Sequence, residues 1–109
     1  MAYDEGLAQR VREMLSHRPD LTEKKMFGGL CFLLGGNMCC GISGDDLMLR
    51  VGPDAYEEVL AKEHAREMDF TGRALRGMVF VGPPGLSTDS ALAGWLAPAV
   101  EFAGGLPTK

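Results

Sequence analysis

The sequence lacks any apolar run of about eighteen residues, so it encodes no membrane-spanning helix. The opening MAYDEGLAQRVREML carries charges without an apolar stretch behind them, which excludes a secretory signal. Cations are in the minority: Lys+Arg 11 stand against Asp+Glu 15, for a net charge of -4. That argues against autonomous nucleic-acid binding, which needs clustered cations to neutralise phosphates. There are only two histidines, and neither falls in an HxxxH or HExxH pattern. A GxxxxGK[ST] loop, a GxGxxG turn and a GxSxG elbow are also missing. No catalytic constellation is visible, and no cofactor is expected.

What remains is ordinary for one domain spanning residues 1–109. Hydrophobic residues make up 46% and charged residues 24%, enough apolar material for a core without staples. With no secretory signal read, a cytoplasmic location is expected, where thiols stay mostly reduced. Gly 15 implies many tight backbone positions.

Periodicity gives the elements. Residues 4–17 read as a helix capped by Asp4, with Leu7, Val11, Met14 and Leu15 on one stripe. Pro19 ends it by disfavouring helix at Arg18. Strands follow at 24–27, 30–34, 38–43 and 47–51, joined by Gly35-Gly36 and Gly44-Asp45 as two-residue hairpin loops. Pro53 opens a helix over 53–63 with Tyr56, Val59 and Leu60 inward. A short strand at 67–70, a stronger one at 78–81 and a last helix capped by Thr88 or Ser87 complete the chain. Trp95 belongs to that helix's apolar stripe, and Pro98 inside it is expected to kink it. The order is α-β-β-β-β-α-β-β-α. It predicts an α+β domain with an antiparallel sheet of five to six strands and flanking helices.

The stretch MFGGLCFLLGGNMCCGIS holds all three cysteines. With Gly35-Gly36 as a tight turn, Phe32 faces Cys39 and Cys31 faces Cys40. With Gly44-Asp45 as the next turn, Cys40 faces Leu49 and Cys39 faces Arg50. One face then carries Cys31, Leu33, Met38, Cys40, Ile42, Leu47, Leu49 and Val51 as core. The other carries Leu30, Phe32, Leu34, Cys39, Gly41, Met48 and Arg50. A slip of one residue would exchange the two sets. Adjacent strand residues point to opposite faces, so Cys39 and Cys40 do not converge on a metal, and no metal site is expected. Cys31 and Cys40 read as small core residues, although a directly opposed pair could form a disulfide. Cys39, beside Arg50, is a candidate reactive thiol, because a nearby cation lowers a thiol pKa.

The second face is too apolar for water. Either helices cover it or another chain does. The second alternative makes Phe32, Cys39, Met48 and Arg50 an interaction face and the protein a homodimer. A candidate basic rim is formed by Arg66, Arg73 and Arg76, whereas Lys109 is the only cation in residues 77–109. It would support weak nucleic-acid binding. Asp45-Asp46 reads as turn chemistry and the histidines as residues at helix C-terminal ends.

KKMFGGLCFLLGGNMCCGI followed by DDLMLRVG resembles the N-terminal domain of the TfoX/Sxy competence regulators, as do MDFTGRALRGMVFVGP and the final helix with Trp95. The resemblance runs from about Lys24 to Lys109. Met26, Phe27, Gly28 and Gly29 match the family motif as backbone features. The resemblance implies an antiparallel α+β fold related in shape to secretion chaperones, with no catalytic residues. In the longer members this domain precedes a helical C-terminal domain, and those proteins act with the cyclic-AMP receptor protein on DNA-uptake genes. The present chain reads as the first domain standing alone. The expectation is therefore a non-enzymatic protein-interaction domain with a regulatory role and a protein partner in transcription regulation. The alternatives are thiol redox chemistry at Cys39 and nucleic-acid binding at the arginines.

Overall fold

A computed structural model describes residues 3–26, 28–70 and 73–108, without the side chains of 68–70 and 73–76. Helix α1 (Glu5–Leu15) leads into strands β1 (Leu21–Met26), β2 (Gly29–Leu34), β3 (Asn37–Ser43) and β4 (Asp46–Arg50). Helix α2 (Gly52–Leu60) crosses to the hairpin of β5 (Ala65–Phe70) and β6 (Arg73–Val81). A 3₁₀ turn (Pro83–Leu86) then precedes α3 (Asp89–Gly104). The six strands form one antiparallel sheet in the order β1-β2-β3-β4-β6-β5. The expected α+β class and element order stand. The polar stretch before Met78 is more regular than its composition suggests, because β5 and β6 pair along most of their length.

Local chemistry explains the boundaries. The Asp4 carboxylate accepts hydrogen bonds from the Gly6 and Leu7 amides at 2.9 and 3.1 Å, satisfying donors that a helix start leaves free. Thr88 does the same for α3 through the Ala91 amide at 3.0 Å. Pro98 sits inside α3, which is nevertheless a single helix from Asp89 to Gly104. Gly35 and Gly36 both adopt positive φ, 59° and 83°, as the tight turn between β2 and β3 requires.

All three helices pack on the same side of the sheet. Their buried residues, among them Leu7, Val11, Tyr56, Val59, Leu92, Leu96 and Ala99, form one cluster with Leu30, Phe32, Leu34, Ile42, Leu47, Leu49, Val79 and Val81. Trp95 is 8% exposed and donates its indole N–H to the Gly85 carbonyl at 3.0 Å, tying α3 to the 3₁₀ turn.

The β2–β3 ladder departs from simple alternation. Leu34 pairs with Asn37 and Leu33 with Met38, as the glycine turn dictates. The register then shifts: Phe32 pairs with Cys40, Cys31 with Gly41 and Leu30 with Ile42. Cys39 is the extra residue of a β-bulge. Cys31 therefore does not oppose Cys40, and the directly opposed pair that a disulfide between them would use does not form. All three cysteines are free and buried.

Candidate functional site: the open face of the sheet

The bulge redistributes the two faces. From Cys40 onward the expected sides hold, so Cys40, Ile42, Leu47 and Leu49 look into the helix layer. In β2 the expected sides are reversed. Leu30, Phe32 and Leu34 belong to the helix-covered core, whereas Cys31 and Leu33 point the other way. Met38 lies with them, not in the core. One inserted residue causes this, because strand side chains alternate with a period of two.

The anticipated patch of Phe32, Cys39, Met48 and Arg50 is thus not one surface. Phe32 and Cys39 are fully buried beneath the helices. Met48 is on the opposite face. Arg50 pairs with Met78 across the ladder, but its guanidinium lies 5.2 Å from the centre of the Phe102 ring, at the end of α3. Arg50 is not the neighbour of Cys39.

A coherent second face does exist. Cys31 and Met48 form its floor, both fully buried, and half-buried Met26, Leu33, Met38, Met78 and Phe80 pack around them. Every one of these residues comes from a strand; among the described residues no helix contributes to this cluster. Met38 and Met78 carry no sequence signal of their own. Only the pairing of Arg50 with Met78 and of Leu33 with Met38 brings them onto the face of Met48.

Charges stand at the margins of this face. Lys24 pairs with Cys31 on β1 and is exposed. Arg66 pairs with Phe80, and its guanidinium lies 4.9 Å from the centre of that ring. The same guanidinium donates to both Asp46 carboxylate oxygens, at 2.5 and 3.4 Å. The anticipated basic rim accordingly starts with an arginine that is already committed. The side chains of Arg73 and Arg76 lie outside the described residues, and both positions are in strand β6.

The thiols differ from one another. Burial pushes the Cys31 thiol up to about 11. Cys39 is held below the usual thiol range by a hydrogen bond from Cys40 and by the Arg18 guanidinium, against the opposing effect of burial. Cys40, the donor, is pushed well up by that bond and by complete burial. The cation that acts on Cys39 is Arg18, from the turn after α1.

The glycine pair Gly28-Gly29 is structural. Gly28 has φ 73°, and a Cβ on Gly29 would stand 1.9 Å from the Ile42 carbonyl oxygen. Phe27 lies outside the described residues. Among the described residues no group of three or more His, Cys, Asp or Glu could hold a metal ion, and no helix is long and apolar enough to cross a membrane.

A six-stranded antiparallel sheet with every helix on one side, and a methionine-rich opposite side, defines the class: a one-layer-covered α+β domain. The TfoX N-terminal domain family profile matches residues 13–103, and the chain belongs to that family. Membership points to a regulatory or interaction role, and the family is not a known enzyme family. No curated protein and no solved structure matches the chain significantly.

Proposed function

We propose that this chain is a non-catalytic protein-interaction domain with a regulatory role, and that its docking surface is the open sheet face. One observation carries the reading: an apolar cluster of Leu33, Met38, Met78 and Phe80 that no helix covers among the described residues. Soluble monomers rarely leave contiguous apolar patches of several hundred Å² unused. Methionine suits such a surface, because its unbranched, polarizable side chain adapts to varied partners.

A photocrosslinking side chain at Met38 tests the reading in cells, with Ala93 on the exposed side of α3 as the control. Discrete protein adducts from position 38 and not from position 93 are the expected result. Equal labelling from both positions, or none from 38, refutes the assignment of the face.

A second reading, thiol chemistry at Cys39, draws on the lowering of its pKa by Cys40 and Arg18 and requires the helix layer to open, because the thiol is fully buried. It expects Cys39→Ser to abolish reaction of the folded protein with a thiol probe. Unchanged reactivity in that variant ends it.

A further inference from the structure

We infer that the occupant of the open face is a second copy of this chain, stacked sheet against sheet. The inference rests on the docking reading above and adds the identity of the partner. Three observations carry it.

The first is charge. The chain bears a net charge of -4, so two copies repel unless they meet where charge is sparse. The open face is such a place. Its interior residues, Cys31, Leu33, Met38, Met48, Met78 and Phe80, are all uncharged. Of the charged side chains described near it, Arg66 is neutralised by Asp46, Arg50 turns onto Phe102, and Lys24 stands on the edge strand β1. A highly charged peptide or a phosphate backbone would find little to pair with here. An identical apolar surface finds a match, and interface cores are depleted of charge in the same way.

The second is area. Six strands of five to nine residues, at about 4.8 Å between strands and 3.4 Å per residue, give a face of roughly 600 Å² in projection. Two such faces would remove about 1,200 Å² from water, above the ~1,000 Å² that a specific interface needs.

The third is the edge. The alternative for a one-sided sheet is to extend itself strand by strand. Here the edge strand β1 carries Glu23, Lys24 and Lys25 and the other edge strand, β5, carries Arg66 and Glu67, all exposed, and edge charge of this kind blocks addition of another strand. Self-association is thereby directed to the face. Two twisted sheets can stack about 10 Å apart with inner side chains interdigitating, and the methionines supply the adaptability that two identical surfaces need.

The test is light scattering of the full chain across a concentration series in excess reductant, with methionine oxidation footprinting at the two ends of the series. The expected mass is about twice 11.7 kDa. Met38 and Met78 should become protected as concentration rises, while Met14 on α1 should not. Met38→Glu and Met78→Glu should each weaken association at least tenfold, by burying an unpaired charge. The footprint needs no substitution, so an unfolded variant would not spare the inference. A monomer at every concentration, or a dimer that leaves Met38 and Met78 unprotected, overturns it. A monomer that still gives discrete adducts to another protein from position 38 removes the second copy and leaves the interaction reading intact. A monomer without adducts removes both.

Discussion

The two faces of one sheet are built from different apolar residues. The helix-covered side uses Leu30, Phe32, Leu34, Ile42, Leu47, Leu49, Val79 and Val81, with branched aliphatic side chains in most positions. The open side uses Met26, Met38, Met48 and Met78 with Leu33, Cys31 and Phe80. Branched side chains have few rotamers and suit a fixed, densely packed interior. Methionine fills irregular gaps and tolerates a changing neighbour. Hydrophobicity is shared by both faces; stiffness separates the helix-covered face from the open one.

The comparison is broken most severely at Phe32. It is fully buried under the helices, so Phe32→Ala should cost about 3–5 kcal/mol in urea unfolding. Phe80→Ala, on the half-buried open side, should cost under about 1.5 kcal/mol. Equal losses would mean that the two faces are energetically alike. Next comes Gly29→Ala, where the new Cβ meets the backbone oxygen of Ile42. The β2–β3 ladder has to shift, and a loss of about 1–3 kcal/mol is expected in the same assay.

Smaller effects sharpen the contrast. Met38→Glu should change monomer unfolding by less than about 1 kcal/mol, since its site is only partly buried, while association falls at least tenfold. The ion pair from Arg12 to Glu23 at 2.6 Å links α1 to the covered side of β1. Its hydrogen bond with Arg12 lowers the Glu23 pKa. The folded carboxylate therefore binds its proton less readily than the unfolded one. This adds stability above the unfolded-state pKa, which is lost as pH falls through the lower folded value. Both side chains are about a third exposed, which limits the effect of Glu23→Gln to about 0.5 kcal/mol at neutral pH. The difference should vanish in acid; a difference that persists there would assign the effect to packing.

Much of this was legible in advance. Asp4 and Thr88 marked their helix starts, Gly35-Gly36 marked the turn, and the matched family motif had a physical basis in Gly29. The alternation in β4 also placed Leu47 and Leu49 inward correctly. The placement of β2 failed for one reason. A run such as LCFLL is apolar at every position, so its pattern does not say which side faces the helices, and the register had to be carried over from the turn. The extra residue at Cys39 interrupted that inference.

The sequence by itself determined the local events: helix caps, tight turns, the number and order of elements, and the uncharged centre of the sheet. Those depend on neighbours within a few residues. Only the tertiary structure decided which side of the sheet the helices take, and hence that Phe32 is core, that Met38 and Met78 join Met48, and that Cys39 answers to Arg18. A bulge exists only as a mismatch between two paired strands, and the covered side is set by helices distant along the chain. Neither has a signature in a single stretch of residues.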